Sequence, residues 1–113
     1  MLNVIDDTDG YFPVLQRGMR AVVTNGTAAA AFQGFPISVA AKTGTVQYDN
    51  AAMNTGVFVC YAPADDPQIA IAIVIEKGGS GSALTTIAKD ILTAYFSSSE
   101  ESELVGLENS LIK

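Results

Sequence analysis

Lys42-Thr43-Gly44-Thr45 brings an ammonium, two hydroxyls and a side-chain-free backbone position together within four consecutive residues. The flanking residues, Val39-Ala40-Ala41 before and Val46-Gln47 after, make the run apolar on entry and polar on exit. In an extended strand, residues two apart share a face. Lys42 and Gly44 then point one way, and Thr43 and Thr45 the other. The two hydroxyls fall about 7 Å apart along the strand, at about 3.3 Å per residue. A cation beside a bare backbone, with two hydroxyls on the opposite face, suits a carboxylate-bearing, peptide-like ligand. The tripeptide alone is a weak signal, because lysines and threonines are also common on solvated strands.

The elements that must position this run belong to one small domain of 113 residues. Hydrophobic residues make up 49% and charged residues 16%, which is globular, with few charges for a fully solvated surface. A face meant for burial against something else is therefore expected. The net charge of −6 argues against nucleic acid as a partner, since a binder would show a basic face. There is no histidine, which removes the commonest general base and metal ligand. No cofactor is implied. Cys60 stands alone, so no internal disulfide can form. With no signal peptide and no run of 18 apolar residues, the chain itself reads as soluble.

Residues 1–10 read as a lead-in, with a helix cap at Thr8 or Asp9. Phe12, Leu15, Met19, Val22 and Val23 follow a helical stripe, and Pro13 fits near its start. Asn25-Gly26 should end that helix with a left-handed residue, and the sequon Asn25-Gly26-Thr27 reads as coincidence. Thr27 should cap a short helical turn over 28–32, closed by Gly34 and Pro36. The motif strand is expected over about 37–47, and Tyr48-Asp49-Asn50 falls in the turn after it.

A second strand is expected over 55–62, apolar on both faces and so covered on both. Asp65 and Asp66, set between prolines, read as a hairpin loop and not as a catalytic pair. Residues 68–76 form the most apolar strand, isoleucines on one face and Ala70, Ala72 and Val74 on the other. Gly78–Ser82 reads as a flexible connection without a phosphate-loop pattern. Ser82 should then cap a helix over 82–96 whose stripe is Leu84, Ile87, Ala88, Ile91, Leu92 and Tyr95. That helix is expected across the alanine-lined face of the sheet.

Several stretches together, Gly18–Val23, Gly26–Ala29 with Phe32, Ala41–Gln47, Val57–Pro63 and Ile87–Phe96, resemble the C-terminal part of a penicillin-binding protein transpeptidase domain. The resemblance covers about residues 11–96. It implies an α+β fold, a three-stranded antiparallel β-meander packed with an N-terminal and a C-terminal helix, as part of a β-lactamase/transpeptidase-like fold. Residues 1–96 would be the C-terminal portion of the transpeptidase domain, and 97–113 an acidic, mobile tail. The implied activity is serine acyl transfer on D-alanyl-D-alanine stem peptides, which penicillins mimic. By the same resemblance, Lys42 would supply positive charge, Thr43 and Thr45 would bind the ligand carboxylate, and Gly44 would leave room for the nucleophile. The Thr45 backbone N–H would be one oxyanion-hole donor.

The rest of the family's signature set, S-x-x-K and S-x-N, does not precede Lys42. Ser110-Leu111-Ile112-Lys113 spells S-x-x-K in the wrong place, so no nucleophile is assigned within this chain. The expected reading is therefore a piece of a longer protein that carries one wall of the cleft and is inactive alone. The expected partners are the remainder of the domain, stem peptides and β-lactams. The parent is expected at the outer face of a bacterial membrane. A fragment of a β-lactamase or D,D-carboxypeptidase shares the K-T-G, and a non-catalytic module could bind a peptide at an open sheet edge. With a sheet neighbour missing, the 69–75 strand is expected to be paired, covered or self-associating.

Overall fold

The computed structural model describes residues 3–47 and 53–112, with side chains described as far as Ser98; Tyr48-Asp49-Asn50 lies outside the described residues. Helix α1 spans Phe12–Thr24. Its start is capped from further upstream than the sequence suggested. The Asp7 carboxylate accepts the Tyr11 N–H at 2.7 Å through one oxygen and the Phe12 N–H at 3.0 Å through the other. Two orphan donors are thereby satisfied, and Pro13 in the first turn has no N–H to satisfy. Of the expected stripe, Val23 is buried and Met19 and Val22 are half-buried, but Phe12 and Leu15 are exposed.

The end of α1 also differs from expectation. Asn25 has φ −135°, and Gly26 does not adopt the left-handed region. Glycine is needed at 26 for space: a Cβ there would sit 2.9 Å from Val22 Cα and 3.0 Å from Val22 O. The chain can thus fold flat against α1, and the Ala28 N–H returns to Val22 O at 3.1 Å. Helix α2, Ala29–Phe32, follows directly, with Ala28 at its N-cap and no side-chain cap bond.

The sheet is antiparallel with order β1-β2-β3: β1 Ala40–Val46, β2 Thr55–Ala62 and β3 Ile69–Ile75. The first strand begins later than expected, because the 34–38 segment is bent and Ser38 is occupied otherwise. Its carbonyl and its hydroxyl both accept the Ala64 N–H at 2.9 Å. The register places Thr43, Phe58 and Ile73 in one cross-strand row, and Ala41, Cys60 and Ile71 in the next. These rows form the packed face, with Phe58 fully buried and Cys60 nearly so. The opposite face carries Lys42, Val59 and Ala72 in one row, and Gly44, Val57 and Val74 in another. It is half-open: Val57, Val59 and Tyr61 are intermediate, while Ala70, Ala72 and Val74 are exposed. The expectation that both faces of β2 are covered therefore holds for one face only.

A 3₁₀ turn, Gly81–Leu84, leads into α3, Thr85–Ile112. Ser82 does not cap it: the Thr85 hydroxyl donates to the Ser82 carbonyl at 2.8 Å, within the turn. Leu84, Ala88 and Leu92 are buried in one cluster with Phe58, Cys60 and Ala62, flanked by Ile69, Ile71 and Ile73. The helix therefore lies on the isoleucine face, which corrects the expected alanine face. The physical reason is that the small residue permitting close approach, Ala88, sits on the helix, so branched side chains can fill the sheet side. The other half of the expected stripe, Ile87 and Ile91, is 41% exposed at each position. Where an acidic tail was expected from residue 97, the backbone continues helical through Ile112. No proline interrupts the segment 97–112, whose glutamates and leucines are good helix formers. Among the described residues, no helix is long and apolar enough to cross a membrane.

Candidate functional site

The motif residues lie on β1, an outer strand of the three-stranded sheet. Two anchors fix its start. Ala40 and Ala41 are fully buried, and Arg20 of α1 donates through its guanidinium to the Val39 carbonyl at 2.7 Å. From Lys42 onward the strand emerges into solvent: Lys42 and Thr45 are exposed, and Thr43 and Gly44 are intermediate. The expected two-face split is present, since Lys42 and Gly44 alternate with Thr43 and Thr45 in the register.

Each polar group has a defined partner. The Lys42 ammonium donates to the Thr43 carbonyl at 2.6 Å, folding the cation back over its own strand. The Thr43 hydroxyl lies 2.9 Å from the Thr27 hydroxyl, across 16 residues of sequence. The Thr45 hydroxyl accepts the Gly81 N–H at 3.3 Å. The second and third contacts come from segments read in the sequence as a helix cap and a flexible linker. Neither role was visible there, because both contacts are non-local and no spacing rule signals them.

The glycine within the strand and the glycine of the turn behind it behave in opposite ways. A Cβ on Gly44 would meet nothing closer than Val57 Cβ at 3.6 Å, an ordinary contact. Packing within this chain therefore does not require glycine at 44. Gly81 is buried, and a Cβ there would overlap the Gly44 and Val57 carbonyl oxygens and come within 2.7 Å of Gly44 N. The 3₁₀ turn is thus wedged against the β1–β2 backbone directly behind the motif.

Cys60 is buried on the packed face, and burial pushes its thiol up to about 11, so it is not a thiolate at neutral pH. Ser110 lies on the α3 backbone, far along the chain from β1, and Lys113 lies outside the described residues. The arrangement offers a cation, a hydroxyl and an outer strand able to receive an extended ligand.

A model of the penicillin-binding protein transpeptidase domain matches residues 9–93. Over 110 residues the chain is 34% identical to penicillin-binding protein 2A of Bacillus subtilis, covering 85% of this chain and 15% of that protein. It is 32% identical over 103 residues to the peptidoglycan D,D-transpeptidase MrdA of Escherichia coli K12, covering 77% of this chain and 16% of that protein. Among solved structures, the D,D-transpeptidase domain of a peptidoglycan glycosyltransferase from Eggerthella lenta superposes with a TM-score of 0.64. It shares 38% identity, over 74% of this chain and 19% of that one. The strand order, the motif strand and the helices on the sheet thus occur within a stretch that a single family describes, and the chain belongs to the penicillin-binding protein transpeptidase domain family.

Proposed function

We propose that this chain supplies the K-T-G wall of a peptidoglycan D,D-transpeptidase cleft, the serine nucleophile being contributed by polypeptide outside it. In the complete reaction, a serine oxygen attacks the carbonyl of the penultimate D-alanine and the terminal D-alanine leaves as its amine. An amine of a neighbouring stem peptide then attacks the resulting ester, forming the cross-link and releasing the serine. The Lys42 ammonium contributes positive charge to the serine side of the cleft. The Thr43 hydroxyl donates to the terminal carboxylate of the donor peptide, or to that of a β-lactam. Gly44 leaves the space that the reacting groups occupy. The Thr45 N–H is one donor to the oxyanion, a contact worth about 2.7–4 kcal/mol in the transition state.

The observation that carries this reading is Gly44. Its packing within the chain tolerates a side chain, yet it sits between Thr43 and Thr45, two residues after Lys42, on an outer strand. A requirement for glycine would then come from a group outside this chain. The family match and relatives named as D,D-transpeptidases support the same reading. On it, the parent protein works at the outer face of a bacterial membrane, and the 113-residue chain alone is inactive.

The test is incubation with a labelled β-lactam followed by intact mass. The full-length protein gains the mass of one opened β-lactam, and the isolated chain gains none. An adduct on the isolated chain, or none on the full-length protein, contradicts the proposal.

A further inference from the structure

We propose that Thr27 is a positioning residue of the cleft: its hydroxyl holds the Thr43 side chain so that the Thr43 proton is presented to the ligand carboxylate. The proposal rests on the reading of Thr43 given above. Thr27 lies between α1 and α2, on a segment fixed at both ends. Gly26 packs flat on Val22, the Ala28 N–H bonds Val22 O at 3.1 Å, and the Ala29 N–H bonds Gly26 O at 3.1 Å. Ala28 is fully buried. Threonine here would ordinarily cap the following helix, but α2 has no side-chain cap bond. The hydroxyl instead reaches Thr43 at 2.9 Å.

Proton accounting gives this contact its consequence. A hydroxyl donates one proton and accepts up to two. If Thr27 donates to Thr43, the Thr43 proton is released for a ligand oxygen, and the β-branched Thr43 side chain is held in one of its few wells. Thr45 on the same face has a different partner, a backbone N–H at Gly81 that can only donate. The Thr43–Thr27 pair is therefore the member of this row whose proton order can reverse. In the free protein either hydroxyl can be the donor, and an anionic ligand selects the order in which Thr27 donates.

The experiment compares acylation rate constants of the full-length protein with a penicillin bearing its free carboxylate and with the methyl ester of the same penicillin. Thr27→Val keeps the shape and removes the hydroxyl. It is expected to slow acylation by the free acid about 3- to 10-fold, the worth of one neutral hydrogen bond, and the ester by less than about twofold. Thr27→Ser is expected to restore the free-acid rate to within about twofold. Combining Thr27→Val with Thr43→Val is expected to cost no more than Thr43→Val alone, because both act through one contact. Thr27→Ala replaces the valine variant if valine does not fold. An unchanged free-acid rate in Thr27→Val, or an equal loss on acid and ester, overturns the proposal while Thr43→Val remains impaired. A Thr43→Val protein that reacts like wild type overturns the underlying reading of Thr43, and this proposal with it.

Discussion

The two outer strands of the sheet, β1 and β3, bracket the same central strand and are built on opposite principles. Strand β1 is anchored by buried alanines at its start and then presents a cation, hydroxyls and a glycine to solvent. Strand β3 is seven apolar residues, with Val74 63% and Ile75 37% exposed. One edge is polar and braced from behind by Thr27 and the Gly81 turn. The other is an unblunted hydrophobic strand of the kind that pairs with further chain. On the proposed function, this contrast has a reason: β1 would face a ligand, and β3 would face further polypeptide.

The largest expected effect separates these roles at Gly44. In the full-length protein, Gly44→Ala should lower β-lactam acylation by about 100-fold, since a misplacement near 1 Å can cost that much. The melting temperature of the 113-residue chain should be unchanged or slightly raised, because the added methyl meets only ordinary contacts. A large drop in melting temperature would break the distinction. Gly81→Ala should do the reverse in the isolated chain, destabilising it by about 1–3 kcal/mol in denaturant melts, as overpacking against backbone does.

On the other edge, Val74→Lys should raise the concentration at which the isolated chain self-associates, by about tenfold in sedimentation, as edge lysines do. An unchanged association state would mean that β3 is not the contact. Tyr61 tests the open face beside it, because its hydroxyl is buried with no partner among the described residues. Tyr61→Phe should stabilise the isolated chain by about 1 kcal/mol, the cost of an unsatisfied polar group. The last effect, confined to alkaline pH, concerns Cys60. Its folded-state value is raised from 9.0 to about 11, so the folded state keeps the proton longer than the unfolded chain. The corresponding stability is present below pH 9 and is lost as pH rises through about 11. A Cys60→Ala variant should show a flatter stability profile over that window.

Much of this architecture could be read from the residues. The 55–62 and 69–75 strands follow from their composition and bounding turns, and the Lys42/Thr43 alternation follows from the two-residue period of a strand. Periodicity could not say which half of the α3 stripe faces inward. Leu84, Ala88 and Leu92 are buried while Ile87 and Ile91 are not, a choice made by packing against the sheet. The helix side of the sheet is illegible for a related reason: small residues on β3 suggest close approach there, but Ala88 supplies it from the helix. Local capping rules failed at Asp7, which reaches four and five residues ahead, and at Thr27, whose hydroxyl serves a strand 16 positions away. The Gly78–Ser82 run looked like slack chain, and only the fold reveals that Gly81 is wedged.

The most direct measurement is a crystal structure of the full-length protein acylated by a β-lactam. The account predicts the acyl carbonyl oxygen about 2.7–3.1 Å from the Thr45 nitrogen. It also places the ligand carboxylate within hydrogen-bond reach of the Thr43 hydroxyl, with the ligand running along the free edge of β1. A ligand bound covalently away from β1, with Lys42, Thr43 and Thr45 untouched, would contradict it.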